Sequence, residues 1–302
     1  MWFIFALLTS LAWGTADLFY KKGSDSNDRL SHIKIVIMVG FVMGIHGFWY
    51  MITNQIAFSP IQIIRYFPVS FLYILSMTIG YIGLRYIELS ISSPVQNSSG
   101  AVTTILLFLF FKQELGYLSI IGIIIICTGV FGIALLEKLE EGKVSGFIKK
   151  DVDRKYQVGF LAILFPILYA IIDGLGTFAD GIYLDELSLI SENDALLAYE
   201  FTFFICGVLA LLYLTVIKKE SFHIMKERDK GFAAIFETIG QFFYVFSMSG
   251  NAIIAAPLVA SYSIVSIILS RIFLKEKLNK SKYMVILYVI FGIILLGISE
   301  EL

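Results

Sequence analysis

The sequence predicts an all-α integral membrane protein with ten transmembrane helices, arranged as two inverted five-helix repeats. Three observations predict it. Apolar residues make up 58% of the 302-residue chain and charged residues only 16%, against about 45–50% and about 25% in an average soluble domain. Apolar runs of about 20 residues, the length that crosses a bilayer core, recur along the whole chain. Residues of the second half also match residues of the first in the same order.

The first run covers 2–20. It follows Met1 with no basic n-region and no small-residue cleavage site after it, so it reads as a retained helix rather than a signal peptide. The next four runs cover 35–53, 66–86, 92–111 and 117–136. A second set covers 159–180, 195–217, 231–249, 252–274 and 283–299. Only a short turn separates the fourth and fifth spans of each set. In lipid every backbone group must be paired internally, so spanning segments are helices or a closed barrel. Barrel strands would alternate, and these runs do not. The predicted units are a first repeat over 1–136, a linker over 137–158 and a second repeat over 159–302.

The basic residues predict an orientation. The odd-numbered loops hold 21 Lys and Arg residues, among them Lys21, Lys22, Arg85, Lys149, Lys218 and Lys280. The even-numbered loops hold two, Arg65 and Lys112. The excess of positive charge faces the cytoplasm, which places both termini outside. A net charge of -1 carries no basic excess for nucleic acid. Cys127 and Cys206 sit within apolar runs and read as small packing residues rather than a disulfide framework.

Displacing the first span by 156 residues brings Ala6 onto Ala162, Leu8 onto Leu164, Trp13 onto Tyr169 and Asp17 onto Asp173. Displacing the third to fifth spans by 163 brings Tyr81 onto Tyr244, Pro94 onto Pro257 and Gly129 onto Gly292. Glu114 meets Glu276 at a displacement of 162. Five is odd, so each half returns the chain to the opposite side, and the two halves insert upside down relative to each other. Many secondary transporters are built this way, with the substrate site near the midplane between the halves.

Three features resemble a known family: Trp13-Gly14 in span one, Pro94 and Pro257 opening spans four and nine, and a Glu just past each of those spans (Glu114 and Glu276). With the five-plus-five repeat they look like the EamA family of the drug/metabolite transporter superfamily, over nearly the whole chain. The resemblance implies a central cavity lined by spans one, three, four, six, eight and nine. It also implies transport of small metabolites, often export of amino acids or related compounds.

Ionisable groups inside a bilayer are costly and are functional candidates by default. Asp17 and Asp173 are equivalent in the repeat. Trp13 lies one turn before Asp17, so a carboxylate and a ring face share one side of a helix, which suits an amine or other cation. The bland alternative places both aspartates at an interface, in water; it is weaker for Asp173, because Asp180 lies seven residues on and could be the solvated group of span six instead. Glu237, Gln241, Tyr244 and Met248 form a stripe on span eight. Glu237 lies below headgroup level, where burial penalises its charge, and is the candidate proton-coupling residue. Tyr81 joins the substrate-binding set as the repeat partner of Tyr244. Gln96 and Asn97 follow Pro94, which in a first turn leaves no backbone donor missing, and their amides could read a polar substrate. Ser261 and Tyr262 occupy the comparable stretch of span nine. Ordinary interhelical hydrogen bonding is the competing explanation for these.

Other features read as packing. Gly40 and Gly44 form a small-xxx-small contact, within the chain or between two copies. His46 is a lone histidine, and with His32 and His223 no metal cluster forms. Glu200 ranks below Glu237, because the family resemblance puts span seven farther from the cavity. Glu114 and Glu276 read as anchors of helix ends. Gly174 to Ala179 matches a dinucleotide fingerprint by letter, but no strand precedes it.

The expected function is a secondary carrier for a small polar metabolite such as an amino acid or amine, working by alternating access, with no cofactor and no catalytic residue. Uptake of a neutral sugar or nucleoside is the alternative within that class. An intramembrane enzyme lacks a nucleophile motif, and a receptor or scaffold lacks long soluble loops. The expected partners are the small-molecule substrate and the lipid bilayer, here a bacterial or archaeal cell membrane, with the protein a monomer or homodimer.

Overall fold

The computed structural model describes residues 1–25, 28–87, 89–112, 115–144, 159–276 and 280–301. Every regular element among them is helical. In order they are α1 (Trp2–Gly23), α2 (Ser31–Thr53), α3 (Ile61–Gly83), α4 (Leu89–Asn97), α5 (Ser99–Phe110), α6 (Tyr117–Val144), α7 (Gly159–Gly181), α8 (Glu192–Leu212), α9 (Arg228–Ala260), α10 (Tyr262–Leu269) and α11 (Lys280–Glu301). Glu114 and the linker residues 145–158 lie outside the described residues. The other end of the linker is helical, since α6 runs to Val144.

Seven stretches of the described residues are long and apolar enough to cross a membrane: Trp2–Gly23, Ser31–Thr53, Ile61–Gly83, Leu164–Glu186, Glu192–Ile217, Ile224–Leu274 and Lys280–Ser299. The remaining predicted spans take other forms. The run at 92–111 breaks at Ser98 into α4 and α5, each shorter than a bilayer core. The run at 117–136 contains a shorter apolar helix, Tyr117–Gly132. The eighth and ninth runs form one 51-residue helical stretch, bent at Asn251, whose φ of -172° and ψ of 87° leave the helical region.

Both breaks follow a proline, and neither Pro94 nor Pro257 takes the first-turn position expected of it. Pro94 lies inside α4, which begins earlier, at Leu89, where the Glu276 carboxylate accepts the Leu89 N–H at 3.2 Å. Such an acceptor satisfies one of the donors that a helix start leaves open. Pro257 lies inside α9. A proline inside a helix removes one hydrogen bond and crowds the preceding turn. Four residues after each, the chain bends at a serine. Ser98 has φ -62° and ψ -10°, and Ser261 has φ -67° and ψ -4°. Each hydroxyl donates to the carbonyl three residues back, Ser98 to Val95 at 2.7 Å and Ser261 to Leu258 at 2.6 Å.

The helices pack in pairs that join an element before residue 145 to one after 158: α1 on α9, α2 on α8, α3 on α7 and α6 on α11. Small residues allow the close crossings. A Cβ on Gly40 would stand 2.6 Å from the Phe203 carbonyl oxygen and 2.8 Å from the Gly207 Cα. Gly40 and Gly44 therefore serve contact within the chain. On the outside, large apolar side chains such as Ile4, Ile64, Leu109, Leu209 and Leu287 are more than half exposed. An apolar surface this extensive belongs in lipid rather than water. The chain is a multi-pass membrane protein.

Candidate functional site

At the centre, α1, α3, α4, α5, α7, α8, α9 and α10 enclose a cavity. From α1 come Trp13, Asp17 and Tyr20. From α3 come Tyr73, Met77 and Tyr81, spaced by four and so stacked on one helix face. Gln96 and Asn97 close α4, just before the Ser98 bend. Tyr169, Asp173 and Thr177 project from α7, Tyr199 from α8, Glu237, Gln241 and Tyr244 from α9, and Tyr262 from α10.

Of the eleven residues singled out in the sequence, ten line this cavity. Ser261 does not, because its hydroxyl is turned back to its own helix at Leu258. Three corrections accompany this. Asp180 is not solvated. It is 0% exposed and takes hydrogen bonds from Tyr66 and, at 3.5 Å, from Tyr73. His46 is not alone, since its Nδ1 lies 2.7 Å from Oε1 of the fully buried Glu200. Asp17 is not an interfacial group either, being 8% exposed.

The polar groups are held by partners from distant parts of the chain. Asp17 Oδ2 accepts from Ser93 at 2.6 Å and from Ser266 at 2.7 Å, so it ties α1 to α4 and α10. Ser76 donates to Asp173 Oδ1 at 3.2 Å. Tyr20 donates to Glu237 Oε2 at 3.4 Å, and Tyr81 donates to Tyr20 at 3.1 Å. The Trp13 indole N–H donates to the Glu237 carbonyl at 3.3 Å. Its ring lies 4.9 Å from that of Tyr244 and meets Tyr262 edge-on at 5.8 Å. Gln241 is 3% exposed, and its amide nitrogen has no hydrogen-bond partner among the described residues. Buried donors are rarely left open, and this one belongs to the cavity wall.

Three carboxyl groups thus face one cavity whose described lining contains no Lys, Arg or His. Aromatic rings form much of the remaining wall. Such a space is suited to a positively charged or zwitterionic guest, through charge and through ring faces.

Sequence reasoning missed Tyr20, Tyr73, Tyr169, Thr177 and Tyr199. Four of them had a signal. Tyr169 stands opposite Trp13 in the repeat, Tyr73 lies eight residues before Tyr81 on the same face of α3, Thr177 follows Asp173 by four residues and Tyr20 follows Asp17 by three. Tyr199 had none, because its place at the cavity depends on how α8 docks.

The EamA-like transporter family matches this chain over residues 1–135 and 160–298. No curated protein matches it. A solved structure described only as "Crystal structure of protein" is similar in fold, with a TM-score of 0.65 over 98% of this chain and 96% of that one. The two sequences are 10% identical, so the likeness concerns the fold alone.

Proposed function

The chain belongs to the EamA-like transporter family, and from that premise we propose that it is a secondary carrier for a small cationic or zwitterionic metabolite such as an amine or amino acid. Asp17, Asp173, Trp13, Tyr81, Gln96, Asn97, Gln241, Tyr244 and Tyr262 bind the substrate, and Glu237 carries the coupling proton. The observation that carries this reading is the set of three carboxyl groups in one cavity with no basic side chain in its described lining. The open donor of Gln241 adds a group able to recognise a carboxylate or hydroxyl on the guest.

The reading includes ten spans in two inverted repeats, over 1–136 and 159–302, that rock about the cavity by alternating access. Two features support it. The bends at Ser98 and Ser261 stand 163 residues apart, the displacement that superposes the halves in sequence. The pairing of helices also fits an exchange of each element with its repeat counterpart. That exchange turns the α1–α9 pair into the α7–α3 pair and leaves α2–α8 and α6–α11 unchanged. The charge asymmetry of the loops supports termini on the outer side, in what we infer to be a bacterial or archaeal cell membrane.

The test is a thermal-shift screen of the full chain in detergent against amines, amino acids, sugars and nucleosides, with Asp17→Asn, Asp173→Asn and Glu237→Gln alongside. A ligand that binds only the folded state raises Tm. Amines or amino acids should stabilise the wild type and lose that effect in the aspartate variants. Stabilisation by neutral sugars or nucleosides that survives in all three variants would overturn the substrate class.

A further inference from the structure

On α3, Tyr66 and Tyr81 are fifteen residues apart, or about 22 Å along a helix at 1.5 Å per residue. Each belongs to a cluster of tyrosine hydroxyls around a buried carboxyl group. At the Tyr81 end the group is Glu237, reached by Tyr20, which in turn accepts from Tyr81. At the Tyr66 end it is Asp180, which the cavity wall does not include. Tyr66 donates to Asp180 Oδ1 and Tyr73 to Oδ2. Tyr73 also lies 2.5 Å from the Tyr244 hydroxyl and 3.1 Å from Thr177, and all three of these residues line the cavity.

We propose that Asp180 is a second proton-binding site, the counterpart of Glu237 at the opposite end of the cavity, joined to the cavity through the hydroxyls of Tyr73 and Tyr244. The inference rests on the carrier reading given above.

Asp180 is fully buried and forms no ion pair among the described residues. A buried carboxylate without a cation pays a large desolvation cost, so a proton is the simplest means of balancing its charge. Every element packed around it bears on that balance. Helix α3 presents Tyr66 and Tyr73, with Arg65 exposed to the outside. Helix α9 presents Tyr244 and α8 presents Tyr199, while α4 and α5 carry no charged residue among those described. On its own stretch of chain lie Asp173, Tyr183, Asp185 and Glu186; Tyr183 packs edge-on against Tyr66, and Asp185 accepts the Ala252 N–H at 2.7 Å.

The single proton of Tyr73 has three acceptors in reach, which is what a relay needs. When Tyr244 passes its hydroxyl proton to Tyr73, Tyr73 passes its own to Asp180 Oδ2, and Tyr244 regains one from the cavity. The net change is one proton moved from cavity to carboxylate, with both hydroxyls restored.

The test is infrared difference spectroscopy of the full chain in detergent, stepped from acidic to alkaline pH and reading the C=O stretch of protonated carboxyl groups. Asp180→Asn should remove one component of the signal. Tyr73→Phe should shift that same component and leave the Glu237 component, identified with Glu237→Gln, in place. If Asp180→Asn fails to fold, Tyr66→Phe replaces it and must move the component that Tyr73→Phe moves. A spectrum unchanged by Asp180→Asn, or by both phenylalanine variants, overturns the proposal. Ligand stabilisation lost in Asp17→Asn alongside an unchanged infrared spectrum would refute the proton site and leave the carrier standing.

Discussion

Asp17 and Ser266 meet at 2.7 Å across 249 residues of chain, the serine hydroxyl donating to the carboxylate Oδ2. The contact joins α1 to α10 beside the cavity and adds to the shorter bond from Ser93. Hydrogen bonds to charged or chargeable groups exceed neutral ones in strength. Ser266→Ala should therefore destabilise the protein by about 1 kcal/mol. Ser263→Ala should be close to neutral, because that hydroxyl reaches only the Ala260 carbonyl three residues back, at a long 3.5 Å. Thermal unfolding of the two variants in one detergent checks the difference, and equal melting temperatures would show that the contact contributes nothing.

Gly40 and Gly132 should respond in opposite ways to alanine. A Cβ on Gly40 would press on backbone atoms of α8, which cannot swing aside. Gly40→Ala should cost about 1–3 kcal/mol, as overpacking does. At Gly132 the nearest contact is Val285 at 3.9 Å, an ordinary distance. There the gain in helix propensity, up to about 1 kcal/mol, should leave the protein unchanged or more stable. Melting temperatures of the pair decide the matter.

His46 and Glu200 form a pair between α2 and α8, away from the cavity, and the second oxygen of Glu200 has no partner among the described residues. Removing the imidazole alone strands a buried carboxyl group. His46→Leu should destabilise by about 3 kcal/mol. Adding Glu200→Gln should recover part of that loss, because a neutral amide is cheaper to bury. A double-mutant cycle measures the coupling, and additive effects would show that the two side chains do not depend on each other.

Asp28, in the loop between α1 and α2, supplies a pH dependence outside the membrane. Partial burial opposes its charge. The hydrogen bond from Lys34, the Leu30 N–H at 2.9 Å and the Lys34 charge outweigh that and hold the carboxyl below its ordinary value of 3.8. A lowered folded-state value contributes stability above the unfolded value, lost as pH falls through the folded one. Wild type should therefore lose stability against Asp28→Asn only below the ordinary aspartate range. Parallel acid titrations of the two proteins followed by unfolding check this, and curves that stay parallel below the ordinary value of 3.8 as well would refute it.

The candidate site was legible to the extent that its residues follow helical periodicity or the internal repeat. Asp17 and Trp13 lie four apart, Glu237 and Gln241 likewise, and the displacement of 156 leads from Asp17 to Asp173. Asp180 was not legible. It stands at the end of an apolar run, where a linear reading places water, and it is buried because Tyr66 of α3 covers it. Ser261 matched the pattern and still faces elsewhere, since a serine at a bend satisfies its own backbone before it can reach a cavity.

Composition and hydropathy by themselves determined that this chain lives in a bilayer as helices, because lipid leaves an unpaired backbone no other solution. The ordered matches between its halves also determined which polar side chains to suspect. Which of them meet was decided only by tertiary structure. Crossings such as that of Gly40 on Gly207 set how deeply each helix docks, and that depth brings Asp17 to Ser266, Glu237 to Tyr20 and Asp180 to Tyr73. Hydrogen bonds fall off steeply with distance and angle, so partners more than a hundred residues apart are chosen by packing that no local pattern encodes.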